Sequence, residues 1–383
     1  MSKILITGGA GYIGSQTNLC LLEKGFETVV FDNLVYGHRG VVPESEKCQF
    51  VQGDLLNLED LESVFEKNKI DAVVHFAAFA YVGESVTNPA KYYQNNVIGS
   101  FNLLETMRKF NCKKLVFSST CATYGEPSIL PITENEKQKP INPYGWTKLM
   151  IEQLVKDYHK AYDLNAVVFR YFNAAGADNS GQTGENHDPE THLIPLILKV
   201  AKGELDSIKV FGDDYETPDG TCIRDYIHTQ DLAIAHYLGL LKLNSDKNDK
   251  NKISNNSKIE QNLTEKLTGK SGQTGENNSQ TSLENEKSEQ KSEIEAEKES
   301  GGKICEFVNL ASGNGYSVME IIKTAQQVTG KSIKVQIEKR RAGDPARLIA
   351  NNSKAREFLG WNPINSTLEN IIQTAWNWEN RQK

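Results

Sequence analysis

Tyr144 and Lys148 stand four residues apart in the stretch INPYGWTKLMIEQL, residues 141–154. On a helix, residues i and i+4 share a face, so a phenol and an ammonium at this spacing can converge on one point. An unperturbed tyrosine has a pKa near ~10 and is a poor proton acceptor at neutral pH. A cation beside it favours the phenolate, which makes the pair a candidate general acid–base. Ordinary solvated helices carry the same spacing, so the pair needs support from elsewhere in the chain. Upstream, FSSTCATYG (117–125) offers the hydroxyls of Ser118, Ser119 and Thr120, suited to bonding a substrate hydroxyl. Cys121 beside them reads as a small packing residue rather than a nucleophile.

Those side chains need elements to hold them. Pro143 presets φ for a first helical turn, Asn142 can cap it, and Leu149, Ile151 and Leu154 supply an apolar face. The hydroxyls end KKLVFSS (113–119), a short apolar run typical of a buried strand. KILIT (3–7), ETVVFD (27–32), CQFVQGD (48–54), DAVVHFAA (71–78) and NAVVFRYFN (165–173) read the same way. Helix-spaced segments such as QTNLCLLEKG and GSFNLLETMRKF lie between them. This alternation predicts an α/β fold, a Rossmann-type doubly wound parallel sheet, with a smaller α/β substrate-binding domain after it. Open sheets of this kind bind ligands beyond the carboxyl ends of their strands, where Ser118–Thr120 would lie.

The first strand runs into TGGAGYIG (7–14), with Gly8, Gly11 and Gly14 opening a helix. Such glycines permit a tight turn and a close backbone approach to a pyrophosphate, which the helix N-terminus favours electrostatically. Asp32 ends the second strand, 18 residues beyond Gly14, placed to accept hydrogen bonds from ribose hydroxyls. A carboxylate there repels a 2′-phosphate, so NAD is expected rather than NADP. GDLLN places Asp54 and Leu55 at the adenine end, and the small residues of HFAAFA let a flat cofactor lie close to the backbone.

Gross composition narrows the class. The chain has 383 residues and a net charge of −7, which gives no support for nucleic-acid binding. Its six cysteines show no Cys-x-x-Cys spacing, so neither a disulfide framework nor a zinc or other metal site is expected, and a reducing cytoplasm fits best. No apolar run approaches the ~20 residues of a membrane span, and the N-terminus has too few apolar residues for a signal-peptide core. Residues 244–302 contain no aromatic, proline or cysteine and are dominated by Asn, Ser, Lys, Glu and Gln. Such a segment cannot offset its ordering entropy by burial, so a disordered insertion within a domain is expected.

The order TGxxGxxG, Asp, Ser-Ser-Thr and Tyr-x-x-x-Lys resembles the extended short-chain dehydrogenase/reductase superfamily. VGESVTNPAKYYQNNVIGS, RYFNAAGA, FGDDYETPDGTCIRDYIHTQDLA and EKRRAGDPARL are similar, within it, to the galactose-epimerase family that acts on UDP-glucose. The resemblance covers the chain outside 244–302. It implies bound NAD held by Gly8, Gly11, Tyr12, Ile13, Gly14, Asp32, Asn33, Asp54, Leu55, Phe76, Ala77, Ala78, Asn95, Lys148 and Phe172. It makes Tyr144 the acid–base, gives Lys148 a bond to the nicotinamide ribose, and sets Thr120 on the sugar 4-hydroxyl. Hydride would leave sugar carbon 4, and the resulting ketone would turn over before hydride returns to its other face. Arg224 and Arg341 would clamp the nucleotide diphosphate, Asp344 a uridine ribose hydroxyl, and Asn173 and Leu193 would share that wall. Leu348 would border the sugar pocket and limit the group on carbon 2, leaving UDP-N-acetylglucosamine a poor substrate.

The resemblance further implies a cofactor domain over 1–172, a mainly substrate-binding region over 173–383, and a homodimer. Some members of the family carry a lysine where this chain has Ala80, so that contact is not carried over. Other readings remain open at this point. UDP-xylose/UDP-arabinose epimerases share STCATYGEP. Nucleotide-sugar dehydratases need an Asp-Glu pair where Cys121 and Ala122 stand, and a non-catalytic NAD-binding relative would not need Thr120, Tyr144 and Lys148.

Overall fold

The computed structural model describes residues 2–244, 303–341 and 345–381. The insertion expected at 244–302 therefore lies outside the described residues except for Asn244, and so does Asp344. The six runs read as strands form β1 (Lys3–Thr7), β2 (Glu27–Asp32), β3 (Cys48–Gln52), β4 (Ala72–His75), β5 (Lys114–Thr120) and β6 (Asn165–Tyr171). Helices α1 (Tyr12–Glu23), α2 (Leu58–Lys67), α3 (Val82–Thr87), α4 (Pro89–Tyr92), α5 (Gly99–Lys109) and α6 (Pro143–Tyr162) lie between them. Beyond β6 come β7 (Asn173–Ala175), α7 (Leu193–Lys202), β8 (Ile208–Phe211), β9 (Ile223–His228) and α8 (Thr229–Asn244). The chain continues with β10 (Cys305–Leu310), β11 (Gly315–Ser317), α9 (Val318–Thr329), β12 (Val335–Glu338), β13 (Arg347–Leu348), α10 (Ser353–Leu359) and α11 (Leu368–Glu379).

The large sheet is parallel throughout, ordered β10-β6-β5-β4-β1-β2-β3. Strand order reverses between β1 and β4, and that switch point opens the ligand crevice of this topology. The central strands are apolar because helices cover both faces. On one face Leu5, Val73, Leu115, Phe117 and Val168 pack with Leu61, Leu103, Ile151 and Val155. On the other, Gly239 of α8 lies against Phe169 and Val116. Residues after 172 thus return to this sheet, through α8 and through β10 paired with β6.

A second core gathers α7, α9 and α11 around Ile197, Leu198, Val210, Ile321, Ile322, Ile371 and Ile372. Beside it, β9 pairs with β7, β11 and β13, and β12 pairs with β8. Among the described residues no helix is long and apolar enough to cross a membrane.

Candidate active site

A cavity of about 970 Å³ runs from the switch point to the second core. Its walls include Gly8, Gly11, Tyr12, Ile13, Gly14, Asp32, Asn33, Asp54, Leu55, Phe76, Ala77, Ala78, Asn95 and Phe172 at one end. Thr120, Tyr144 and Lys148 stand between these and Asn173, Leu193, Arg224 and Arg341. The volume is at the upper end of the ~300–1,000 Å³ common for small-molecule sites.

The glycine turn is fixed by its own backbone. Gly8 has φ +72, and a Cβ there would meet the Ala77 nitrogen at 2.5 Å. A Cβ on Gly14 would collide with the Gly8 carbonyl, so α1 could not sit so close to β1. Gly11 caps α1, and a Cβ there would approach only the Gly8 carbonyl, at 3.3 Å; a bare backbone keeps this edge of the crevice clear. First-turn amides of a helix lack intrahelical acceptors and suit a phosphate. Asp32, 7% exposed, accepts hydrogen bonds from the Ala10 and Leu34 amides at 3.0 and 2.8 Å, which orient its carboxylate. Burial nevertheless pushes its pKa above the ordinary value. Asn33 donates to Asp54 at 2.9 Å and ties together the segments that follow β2 and β3. An anion at the second strand end beside a glycine cradle fits an adenosine diphosphate with a free 2′-hydroxyl.

The catalytic candidates are set by β5 and α6. Asn142 caps α6 by accepting from the Gly145 amide at 2.8 Å, and Pro143 fills its first turn. Lys148 is 3% exposed and donates to the Ser118 carbonyl at 2.8 Å, a bond that pins its ammonium at the end of β5. Of the three hydroxyls, only that of Thr120 belongs to the cavity wall. Side chains alternate along a strand, and Ser119 donates instead to Glu152 at 2.6 Å, while Ser118 bonds His236 at 2.9 Å. Glu152 is itself buried against Arg170 at 2.7 Å. This ion pair, absent from the sequence reading, holds α6 to β6 behind the catalytic candidates.

The electrostatics differ from the expectation of a depressed tyrosine. Burial raises the Tyr144 pKa well above the ordinary value; the neighbouring Tyr171 adds to the rise and a hydrogen bond with Thr120 opposes it. Burial also pulls Lys148 down to about 7, only partly offset by Glu152. Both groups lose hydration, and each loss favours the neutral form. The Cys121 thiol is pushed up to about 12 by burial, in keeping with a packing role.

At the far end Arg341 lies over the Phe211 ring at 3.8 Å, and Arg224 donates to its neighbouring Ile223 carbonyl at 2.8 Å. Asn173 donates to the Asp225 carbonyl at 3.0 Å. Leu348 pairs in register with Arg224 across β13 and β9. Its side chain packs with Cys121 against Tyr124, Ile132, Phe172, Ala311 and Ala350. Cys121 and Phe172 line the cavity, whereas Leu348 stands behind them. The sequence reading also passed over Glu185, His187, Glu190 and His192, which share the wall. The regular spacing of Glu and His in ENHDPETH (185–192) was the available signal.

Comparison with known proteins agrees with this architecture. The model of the NAD dependent epimerase/dehydratase family matches residues 4–254. A UDP-glucose 4-epimerase of Halalkalibacterium halodurans is 44% identical over 375 residues, 98% of this chain and 95% of that protein. The solved UDP-glucose 4-epimerase from Brucella ovis, in complex with NAD, is 44% identical with a TM-score of 0.80, covering 99% of this chain and 98% of its own. The one from Bifidobacterium longum, in complex with NAD+ and UDP, is 34% identical with a TM-score of 0.80, covering 100% and 99%. Sequence and overall fold thus agree along nearly the whole length, and the chain belongs to the NAD dependent epimerase/dehydratase family.

Proposed function

We propose that the protein interconverts UDP-glucose and UDP-galactose, by reversible epimerisation at sugar carbon 4 through a 4-keto intermediate with bound NAD. One observation carries the reading: Thr120, Tyr144 and Lys148 stand in the same cavity as a dinucleotide cradle and two arginines. The identity of the relatives favours the UDP-hexose pair over UDP-xylose and UDP-arabinose. Dehydration lacks its acid, since Cys121 and Ala122 follow Thr120.

In this reading Gly8, Gly11, Tyr12, Ile13 and Gly14 hold the pyrophosphate and Asp32 the adenine ribose. Asn33, Asp54 and Leu55 border the adenine, and Phe76, Ala77, Ala78, Asn95 and Phe172 border the remainder. NAD, when bound, supplies a reversible hydride acceptor and a positive ring that favours a phenolate nearby. Tyr144 takes the 4-hydroxyl proton at its phenolic oxygen and later returns it. Thr120 bonds the same hydroxyl and the phenol, and so holds the proton's path short. Lys148, tethered to the Ser118 carbonyl, bonds the nicotinamide ribose and in its protonated form favours the phenolate. Turning the 4-keto sugar requires a grip away from the reacting ring. Arg224 and Arg341 supply it on the diphosphate as charged donors, with Asn173 and Leu193 on the same wall. Asp344, by resemblance, bonds the uridine ribose, and Leu348, packed behind Cys121 and Phe172, bears on the pocket at sugar carbon 2 only through them.

The cofactor domain spans 1–172 and the mainly substrate-binding region 173–383, with α8 and β10 returning from the latter to the cofactor sheet. A cytoplasmic homodimer completes the proposal. Exposed Ile98, Phe101, Trp146 and Met150, in or beside α5 and α6, provide apolar surface for a second copy. The test is a panel of UDP-sugars given to purified protein without added cofactor. Conversion of both UDP-hexoses, with NAD released on denaturation, is the expected result; failure to convert either hexose refutes the reading.

A further inference from the structure

We propose that Glu185, His187, Glu190 and His192 form a divalent-cation site of the zinc type, in the cavity wall but apart from Tyr144, Thr120 and Lys148. One ligand atom from each lies within 4.8 Å of the others. His187 Nδ1 stands 3.2 Å from Glu185 Oε1 and 3.7 Å from Glu190 Oε2. His192 Nδ1 stands 2.5 Å from Glu185 Oε1 and 3.5 Å from Glu190 Oε1. Tetrahedral zinc with ligands at roughly 2.0–2.1 Å separates its ligand atoms by about 3.3 Å. The observed spacings bracket that value.

Direction adds a second, independent observation. Glu185 is 8% exposed, and its Oε1 and His187 Nδ1 stand 3.2 Å apart without an aligned N–H···O bond between them. Atoms that crowd together without pointing at one another are arranged as ligands around a shared centre. Glu190 is held ready: its Oε1 accepts from the Thr191 and His192 amides at 2.7 and 2.8 Å, which orients the carboxylate. Such orienting bonds are what metal-ligating carboxylates use. The loop is anchored besides, by the Trp378 indole on the Glu185 carbonyl at 2.8 Å. Two nearly buried carboxylates side by side need positive charge between them. Two imidazoles with two carboxylates suit Zn2+ better than Mg2+, which prefers an octahedron of oxygens.

Four protein ligands make the site closed, so its role is to fasten the loop rather than to activate water. His187 meets the rings of Tyr12 and Tyr81 edge-on at 6.1 and 6.0 Å. An ion here would therefore stiffen the wall between the start of α1 and Leu193, the first residue of α7.

The full chain, stripped with a chelator and held near neutral pH, is titrated with Zn2+ alone by calorimetry. A parallel Co2+ titration is followed in the visible. One Zn2+ per chain, a rise in Tm, and intense tetrahedral cobalt bands without thiolate charge transfer are expected. Glu190→Gln and His192→Gln should each weaken Zn2+ binding by about 100-fold or more, at least the upper range for loss of a ligand-orienting partner. Circular dichroism confirms that each variant is folded, and if one misfolds the other decides. Absence of stoichiometric binding overturns the site and leaves two protonated imidazoles to neutralise the carboxylates. Unchanged affinity in a folded variant, or thiolate bands from the cysteines, overturns it equally.

Discussion

Tyr144→Phe separates chemistry from structure because it removes one oxygen and keeps the ring that fills the cavity wall. The lost group bonds Thr120, whose Oγ1 also accepts from the Ala122 amide at 3.2 Å and is therefore not stranded. One hydrogen bond with no orphaned partner costs about 1 kcal/mol of stability, a change of only a few degrees in Tm. The kinetic cost is larger. General acid–base catalysis contributes about 10²–10⁴-fold, equivalent to about 2.7–5.4 kcal/mol at the barrier. UDP-galactose conversion, coupled to a dehydrogenase for UDP-glucose, gives kcat and KM. Melting and NAD content are measured on the same preparation. A kcat lowered at least 100-fold, with KM, Tm and NAD content nearly unchanged, is expected. A kcat within a few-fold of the starting protein would remove Tyr144 from proton transfer. A fall matched by equal loss of NAD would instead assign it to cofactor retention.

Lys148→Met should change how stability depends on pH. Burial lowers the folded-state pKa to about 7, whereas the unfolded lysine keeps about 10.4. The unfolded chain holds more protons between those values, so this group's contribution rises with pH across the window and its burial penalty is complete below pH 7. The span corresponds to about 5 kcal/mol; Lys148→Met should flatten that slope in denaturant titrations, and an unchanged slope refutes the assignment. Glu152→Ala strands the Arg170 guanidinium in the core and should cost about 3–5 kcal/mol, read in urea unfolding; a loss below about 1 kcal/mol would show that water reaches the site. Leu348→Tyr overpacks the layer behind Cys121 and Phe172 and should press both into the cavity. Turnover of UDP-N-acetylglucosamine should then fall more than that of UDP-glucose, and equal proportional losses would exclude Leu348 from specificity.

Much of the candidate site was legible because its parts are local. The glycine turn, the strand before it and Asp32 lie within 32 residues and announce themselves by spacing. Tyr144, Lys148 and the Asn142–Pro143 helix start are within one element, where helical periodicity alone places them on one face. All six runs read as strands are strands, because a sheet buried on both faces leaves short apolar runs that few other structures explain. Tertiary contacts decided the rest. Which of Ser118, Ser119 and Thr120 faces the ligand depends on strand alternation against α6 and α8, and so on the positions of Glu152 and His236. That Tyr144 and Lys148 are both shifted toward neutrality depends on how completely neighbours remove water from them. The placement of β10 beside β6, and of Leu348 behind the wall rather than in it, joins segments far apart in the chain. Spacing along a chain fixes what lies within one turn or one strand. Burial and long-range register are sums over neighbours that only the folded packing brings together.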